Sequence, residues 1–315
     1  MIDASELLKT TAEPQLSVVM PVLDAAGTIG EALGSLSGQV EGLEAIVVDG
    51  GSRDETVAIA SGFPFARVLA APGSSIYEAL NLALAAAQAP VIAWLNADDL
   101  FLPGALAAVL AGFAAAPEAD IIRGLPEFVR SGDQGWQMHD RRIEARTGGA
   151  LSLKLITRGP LAVNTMVFRR ALLNRVGPFD TTLRLSADRE WLLRAWREGA
   201  RIVELGRPIY RYRVHGGSQT LDPARRGHIR ARDEHAAILE RLLPPALRLD
   251  PRDPVRIELR RWHAVETALR LQAAGNWRQA LRVAAEAGRA DPAWLLILGG
   301  QVAGLLAGRW ADRGR

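Results

Sequence analysis

Acidic side chains lie shortly after two apolar runs in the first half of this 315-residue chain. Asp49 follows the run Leu43–Val48. Asp98 and Asp99 follow the run Val91–Leu95. Ligands of open α/β sheets bind at the carboxyl ends of the strands, so these acids would face one crevice if both runs are parallel strands. Adjacent carboxylates repel each other, and a hard divalent cation, Mn²⁺ or Mg²⁺, that also holds phosphate oxygens would relieve that repulsion.

The same acids also have a purely structural explanation. Asp98 and Asp99 precede a helix predicted to begin near Pro103, and acids are common before helices because they accept hydrogen bonds from free N–H groups. These residues alone leave the two explanations equally open. Asp188 lies at the start of a predicted helix, where an acid usually stabilises the helix dipole. His215 ends the last predicted strand, where a histidine is usually an ordinary polar residue.

Strands and helices alternate in the first half of the chain, and these elements would position the acids. Short apolar runs rich in β-branched residues alternate with segments of helical periodicity, which is typical of an α/β sheet. Sequences that fit capping boxes begin at Ser52 and Ser75 and predict the starts of two helices. The predicted strands of this half are Leu16–Met20, Leu43–Val48, Arg67–Leu69 and Val91–Leu95.

The sequence pattern changes in the second half. Glu127–Arg130 and Trp136–His139 predict a hairpin, and Arg201–Glu204 and Ile209–Val214 predict two final strands. Beyond Gly216 only helical periodicity remains. We therefore expect one domain over residues 1–220 and a helical C-terminal extension over residues 221–315. The helices predicted there span about 228–243, 255–274, 276–289 and 292–308.

Composition excludes several classes of protein. Hydrophobic residues make up 49% and charged residues 23% of the chain, which is the balance of a globular protein. The absence of cysteine excludes a disulfide framework, a thiolate zinc site and a cysteine nucleophile. A net charge of +3 is too small to indicate nucleic acid as a partner. No Gly-x-Gly-x-x-Gly follows the first predicted strand, which argues against a dinucleotide oxidoreductase.

Both ends of the sequence bear on location. The first fifteen residues include Asp3, Glu6 and Lys9 and have no apolar core, so they do not predict a signal peptide. Residues 216–315 are basic, which would suit an anionic membrane surface or an acidic partner. Their apolar run Pro292–Gly308 is short for the roughly 20 residues that a bilayer needs. We expect a cytoplasmic protein whose C-terminal helices could make peripheral contact with the inner face of the cell membrane.

Six segments in order resemble signatures of the family-2 glycosyltransferases. They are Pro21–Ile29, Val47–Thr56, Ser75–Asn81, Leu95–Asp99, Val176–Asp180 with Ala187–Arg194, and Tyr212–Ser218. The chain departs from the family at Asp24, usually Asn, at Ser75 and Glu78, and at Ala187, where the family often has Glu. The resemblance covers about residues 16–220, and residues 221–315 lie outside it.

The resemblance implies a GT-A fold, which is a mixed, mostly parallel central sheet flanked by helices. It implies an inverting transfer of a sugar from a nucleoside-diphosphate sugar, with a UDP-sugar as the first choice, to a hydroxyl of a glycan or lipid-linked acceptor. The expected setting is polysaccharide or surface-glycan biosynthesis. The implied cofactor is a divalent metal, Mn²⁺ or Mg²⁺.

The resemblance also implies roles for individual residues on the donor side. Pro21 and Leu23 would line the pocket of the nucleotide base, and Asp49 would accept a hydrogen bond from the ring N–H of the base. Asp98 would hold the ribose or the water shell of the metal.

Three further residues would serve the metal and the chemical step. By the same resemblance, Asp99 and His215 would ligate the metal and Asp188 would be the catalytic base. The alternative is a catalytically inactive module that binds a nucleotide sugar or a glycan within an assembly complex. The presence of Asp99, His215 and Asp188 together argues against that alternative, because a binding module needs no base.

Two neighbouring residues keep two interpretations each. Tyr77 could line the donor pocket or pack in the core. Arg194 could help to position Asp188, or it could be the i,i+4 partner of Glu190 on the same helix.

Overall fold

A computed structural model describes residues 13–130, 149–157, 162–214, 227–246 and 248–290. Chain contacts divide them into two compact units. The first unit comprises residues 13–151 and 162–214 as far as they are described, and the second comprises the remainder. His215, the segment Trp136–His139 and the predicted helix at 292–308 lie outside the described residues.

The first unit is built on one mixed β-sheet. Its strands in chain order are β1 (Leu16–Val22), β2 (Leu43–Asp49), β3 (Ala66–Ala70), β4 (Val91–Trp94), β5 (Leu100–Phe101), β6 (Ile121–Arg130), β7 (Gly149–Ala150), β8 (Met166–Arg169) and β9 (Arg201–Val214). They lie in the order β3-β2-β1-β4-β8-β6-β9-β5, with β7 paired to β9. Strands β3, β2, β1 and β4 run parallel, β8 runs antiparallel to β4 and β6, and β6 and β9 run parallel. This arrangement confirms the predicted α/β fold class.

Helices flank the sheet of the first unit and make up most of the second. In the first unit they are α1 (Ile29–Gly34), α2 (Thr56–Ser61), α3 (Ile76–Ala86), α4 (Ala105–Ala115), α6 (Arg170–Val176) and α7 (Ala187–Arg197). In the second unit they are α5 (Leu153–Thr157), α8 (Gly227–Ala246), α9 (Pro254–Ala273) and α10 (Trp277–Ala290). A 3₁₀ turn at Val163–Thr165 precedes β8.

The centre of the sheet explains the continuous apolar run at Leu16–Met20. Strand β1 lies between β2 and β4, and α3 packs against β1 and β2. Alternate residues of β1 pack in one buried cluster with Ile29 and Leu33 of α1. Because both faces are covered, both sets of side chains are apolar. The parallel register places Val22 opposite Asp49, so the ends of β1 and β2 meet at one edge.

The two predicted capping boxes have different outcomes. At α3, the Ser75 hydroxyl accepts a hydrogen bond from the Glu78 N–H, and the Glu78 carboxylate accepts one from the Ser75 N–H. That prediction is confirmed. The box at Ser52 is wrong, because α2 begins only at Thr56 without a side-chain cap. The Ser52 hydroxyl instead contacts residues of two loops.

The second unit is held together by buried polar contacts as well as apolar packing. Glu266 of α9 is buried and accepts hydrogen bonds from Arg232 of α8 at 3.0 Å and from the Trp262 indole at 3.3 Å, and His235 lies 3.2 Å away. An acid buried in this way needs such partners. The chain turns between α9 and α10 at Gly275, whose φ of +79° favours glycine. Among the described helices, none is both long and apolar enough to cross a bilayer.

The contact between β6 and β9 generates a stability prediction. A Cβ atom added at Gly124 would lie 2.5–2.8 Å from three side-chain atoms of Ile209, which is fully buried. We expect Gly124→Ala to lower the free energy of unfolding by about 1–3 kcal/mol, because overpacking forces the two strands apart. A thermal melt would show this as a melting temperature several degrees lower.

Gly34→Ala is the matched control for this substitution. No atom lies within 4 Å of a Cβ placed at Gly34, and alanine is favoured over glycine in a helix by about 1 kcal/mol. We expect an unchanged or higher melting temperature. A Gly124→Ala protein as stable as the Gly34→Ala protein would contradict the close approach of β6 to β9.

Candidate active site

Asp49 is fixed at the end of β2 by the turn that follows it. Its buried carboxylate accepts hydrogen bonds from the Gly51 N–H at 3.1 Å and from the N–H and hydroxyl of Ser52. The Ser52 hydroxyl also accepts a hydrogen bond from the Asp24 N–H at 2.9 Å. The carboxylate therefore holds one orientation at the edge where β1 and β2 end.

Asp24 ties the loop after β1 to the loop after β2. Its φ is +48°, a left-handed conformation that Asp and Asn tolerate better than most residues. Its carboxylate accepts a hydrogen bond from the Arg53 N–H at 2.8 Å. The Ala25 N–H bonds the Thr56 hydroxyl at 2.7 Å. Asp24, at a position where the family usually has Asn, thus stabilises the two loops through hydrogen bonds.

The two residues predicted to line a base pocket lie at this same edge. Pro21 is half-buried near the end of β1, and the Leu23 side chain is 59% exposed. Leu23 Cδ1 lies 3.7 Å from where a Cβ of Gly50 would be, beside Asp49. The edge therefore offers an exposed apolar surface next to a fixed hydrogen-bond acceptor.

Asp99 is a buried acid whose two oxygens are both hydrogen-bonded. It is 3% exposed and accepts bonds from the Arg213 N–H at 2.9 Å, the Tyr210 hydroxyl at 3.0 Å and the Asn96 amide at 3.0 Å. Burial, followed by the negative charge of Asp98, raises the pKa of Asp99 to about 7. The three donors act in the opposite direction and favour the ionised form.

The donor set at Asp98 and Asp99 fits a hard divalent cation. A carboxylate has about four lone-pair positions, and three donors leave Asp99 one position for a metal. Asp98 is half-buried beside it, and its charge adds to the repulsion that a cation would relieve. No cluster of three or more potential ligands forms within the described part of the chain. The remaining predicted ligand, His215, lies outside that part.

Asp188 lies in the first turn of α7 and is bonded through one oxygen. Its Oδ1 accepts hydrogen bonds from the Arg189 N–H at 2.8 Å and the Tyr77 hydroxyl at 3.3 Å. Among the residues that the structure describes, none donates to its Oδ2. Burial raises the pKa of Asp188, and the charge of Arg189 and both hydrogen bonds oppose that increase. The carboxylate is therefore anchored on one side only.

A wall of aromatic rings supports Asp188. The Tyr77 ring lies 5.6 Å from the Phe179 ring and 6.4 Å from the Trp94 ring, and Phe179 lies 5.8 Å from Trp191 of α7. The Asn81 side chain bonds the backbone N–H and C=O of Phe179 at 2.9 and 3.0 Å. The ring of Tyr77 thus packs in the core, and its hydroxyl contacts Asp188.

Arg194 does not contact Asp188. Its guanidinium pairs with Glu190 at 2.9 Å and donates to the carbonyls of Val176 and Pro178. The Trp191 indole donates to the Gly177 carbonyl at 2.8 Å. Helix α7 therefore holds the segment before Phe179, and Arg194 is the i,i+4 partner of Glu190.

Tyr212 connects the two acids electrostatically. Burial raises the pKa of its hydroxyl, and the charges of Asp99 and Asp188 raise it further. The charges of both acids therefore disfavour ionisation of one hydroxyl, although 89 positions separate the acids in sequence. The spacing of the acids does not predict Tyr210 or Tyr212. The sequence feature that indicates them is the Tyr-x-Tyr spacing in β9, which places both rings on one face of the sheet, 4.7 Å apart.

The family model that describes glycosyl transferase family 2 matches residues 17–176, slightly more than half of the chain. The chain belongs to glycosyl transferase family 2. The resemblance seen in the sequence is thereby confirmed.

This family-2 glycosyltransferase has curated relatives with related names. A PGL/p-HBAD biosynthesis glycosyltransferase of Mycobacterium tuberculosis is 28% identical over 207 residues, which cover 61% of this chain and 73% of the relative. The succinoglycan biosynthesis protein ExoU of Rhizobium meliloti is 28% identical over 227 residues, which cover 66% of this chain and 65% of that protein.

Solved structures of similar fold support the GT-A architecture of this glycosyltransferase. Residues 1–349 of S. aureus TarS, in complex with UDP-GlcNAc, match with a TM-score of 0.62 and 20% identity over 85% of this chain and 79% of that one. The mannosyltransferase PcManGT from Pyrobaculum calidifontis, in complex with GDP-Man and Mn²⁺, matches with a TM-score of 0.61 and 20% identity over 93% and 81%.

The Ser52 hydroxyl generates a prediction for this edge of the site. It joins Asp49 to the Asp24 backbone, so Ser52→Ala leaves the Asp24 N–H without that acceptor. We expect a loss of about 1–2 kcal/mol in the free energy of unfolding, measured by denaturant titration. Ser61→Ala is the matched control, because that exposed hydroxyl bonds only the Val57 carbonyl of its own helix. Equal stability of the two variants would show that the two loops are not joined through Ser52.

Proposed function

We propose that this chain is an inverting glycosyltransferase that moves a sugar from a nucleoside-diphosphate sugar to an acceptor hydroxyl. The observation that carries this proposal is the different hydrogen bonding of two acids, Asp99 and Asp188, in the sheet domain of a family-2 chain. Asp99 is bonded through both oxygens, whereas Asp188 is bonded through Oδ1. This difference suits a structural or metal-binding role for Asp99 and a role as proton acceptor for Asp188.

The donor nucleotide would bind where β1 and β2 end. Leu23 and Pro21 offer apolar contact for the base, and Asp49 offers an acceptor for a ring N–H, which uracil and guanine carry and neutral cytosine lacks. A UDP-sugar is the proposed donor, as the sequence resemblance implies. The TarS complexes contain UDP or UDP-GlcNAc and the PcManGT complex contains GDP-Man, so proteins of this fold bind nucleotide sugars of more than one kind.

Asp188 would act as the general base in a single displacement. Its Oδ2 takes the proton of the acceptor hydroxyl while that oxygen bonds to the anomeric carbon. The bond from the anomeric carbon to the diphosphate breaks, and the nucleoside diphosphate leaves with the electron pair. One displacement inverts the anomeric centre. General-base assistance of this kind is worth about 10²–10⁴ in rate, and a raised pKa makes the carboxylate a better proton acceptor.

Asp99 would hold a divalent cation, Mn²⁺ or Mg²⁺, together with His215, and Asp98 would contact its water shell or the ribose. A bound cation would neutralise the charge that develops on the leaving diphosphate. The chain's own contribution is the orientation of Asp99, which the Tyr210 hydroxyl and the Arg213 N–H provide.

The acceptor would be a glycan or a lipid-linked sugar in polysaccharide or surface-glycan assembly. The names of the mycobacterial and rhizobial relatives support this setting. Residues 1–220 would form the catalytic domain and 221–315 a helical extension, with α5 belonging to the second compact unit.

The helical extension would lie at the inner face of the cell membrane, with the protein in the cytoplasm. Trp277 and Leu281 lie one turn apart on α10 and are 55% and 66% exposed. Arg278 and Arg282, also exposed, stand next to them. An aromatic and a leucine side chain among arginines is typical of helices that bind anionic lipid headgroups.

The first functional prediction concerns the base. Asp188→Asn is expected to lower the rate of sugar transfer by about 10²–10⁴-fold, because an amide cannot accept the proton. Affinity for the nucleotide sugar should change little. Release of nucleoside diphosphate and calorimetric titration with the donor would measure the two effects.

Glu118→Gln is the control, because it neutralises a largely exposed acid whose nearest cation, on Arg201, lies 3.9 Å away. It should keep full transfer activity. Near-normal transfer by Asp188→Asn would refute the base assignment. A wild-type chain that binds donors but transfers to no acceptor would instead indicate the inactive binding module.

The raised pKa of Asp99 generates a second prediction. Below pH 7 the protonated carboxyl competes with metal, so the affinity for Mn²⁺ should rise up to about tenfold per pH unit between pH 5.5 and 7 and level off above. Electron paramagnetic resonance of free Mn²⁺ would measure it without any turnover. In Asp99→Asn the affinity should be lower and its pH dependence should become shallower, because only the proposed histidine ligand, His215, would still exchange a proton for the metal. The same pH dependence in both proteins would remove Asp99 from the ligand set.

A further inference from the structure

The Tyr77 hydroxyl contacts the same oxygen of Asp188 that the Arg189 N–H contacts. One donor belongs to α3 and the other to the first turn of α7. A carboxylate with a single donor can still turn about its Cβ–Cγ bond and exchange its oxygens. Two donors from different elements fix the plane of the group and leave Oδ2 as the oxygen without a described donor.

Tyr77 is itself held firmly enough to position another group. It is 3% exposed, its ring packs against Trp94 and Phe179, and the capping box at Ser75 fixes the start of its helix. The 3.3 Å separation is longer than the usual O–H···O distance of about 2.7–2.8 Å. Hydrogen bonds of catalytic groups are often long in ligand-free sites and shorten when substrate binds.

We propose that Tyr77 is a positioning residue that orients the Asp188 carboxylate so that Oδ2 faces the acceptor hydroxyl. The proposal rests on the proposed role of Asp188 as the base. It means that Tyr77 of α3, in the first half of the sheet domain, assists a base that lies on α7. Tyr77 itself donates no proton to substrate and forms no bond with it.

The hydroxyl of Tyr77 has a second, electrostatic effect on Asp188. Burial raises the pKa of this carboxyl, whereas the charge of Arg189, the Arg189 N–H and the Tyr77 hydroxyl lower it. The charge of Asp188 in turn raises the pKa of the Tyr212 hydroxyl. Loss of the Tyr77 hydroxyl therefore allows the pKa of Asp188 to rise. Since a base must be ionised, the acid limb of the pH profile should move to higher pH.

Tyr77→Phe tests the proposal because it keeps the ring and removes only the hydroxyl. We expect kcat at neutral pH to fall roughly 10- to 100-fold, as for other small misplacements of a reacting group, while KM for the nucleotide sugar stays within about twofold. The acid limb of kcat should move to higher pH. A kcat and a pH profile equal to those of the wild type would overturn the proposal.

Trp94→Phe is the control for packing. Among the described residues, the buried Trp94 indole N–H has no hydrogen-bond partner, so this change alters the same aromatic wall and removes no described hydrogen bond. It should leave the pH profile in place. An equal displacement of the acid limb in Trp94→Phe would assign the effect to packing and overturn the positioning role.

A double-mutant cycle separates this proposal from the proposed function. If Tyr77 acts through Asp188, adding Tyr77→Phe to Asp188→Asn should cause no further loss of transfer. A further loss equal to that in the wild-type background would show that Tyr77 acts independently of Asp188 and would refute the proposal. High activity of Asp188→Asn alone would refute the base itself. A poorly active Asp188→Asn with a fully active Tyr77→Phe would leave the base intact and refute only the positioning role.

Discussion

The burial of Asp99 is the constraint on which the architecture around the site depends. Burying an acid is costly unless donors compensate it, and here two of the three donors come from β9, more than 110 residues along the chain. The Tyr210 hydroxyl also accepts the Asn96 N–H at 3.1 Å. The loop after β4 and the end of β9 are therefore joined through one carboxylate, and a displacement of either would remove two of the three donors of a buried acid.

The number and placement of donors distinguish Asp99, which is buried, from Asp188, which is partly buried. Asp99 has donors on both oxygens, which suits a group that must stay in place while charge develops nearby. Among the described residues, Asp188 has two donors on Oδ1 and none on Oδ2, the oxygen that the proposed mechanism uses. Burial raises the pKa of both, so burial alone does not separate their roles. The distribution of hydrogen bonds does, and it follows from which elements surround each acid.

The features that the sequence predicted correctly are local or periodic. The apolar run of β1 predicts a central strand because a strand covered on both faces needs apolar residues throughout, and the box Ser75–Glu78 closes within one turn. The box at Ser52 is wrong because its hydroxyl bonds Asp24, 28 residues away. Similarly, β9 is one strand rather than two, because it pairs with β6 from Ile202 to Val214, with an irregular register around Gly206, whose φ is +63°. Both differences depend on contacts between residues that are far apart in sequence, and the spacing of residue types does not predict such contacts.

The segment from Val176 to Phe179 is held in place by side chains that bond its backbone atoms. Asn81 bonds the N–H and C=O of Phe179, and Arg194 bonds the carbonyls of Val176 and Pro178. Because these contacts reach backbone groups, they constrain the path of the segment without specifying its other side chains. Asp188, by contrast, contacts the side-chain hydroxyl of Tyr77. Under the proposed mechanism the fold therefore separates two requirements: the backbone path of the segment before α7 tolerates changes in its other side chains, whereas the orientation of the proposed base depends on one particular hydroxyl.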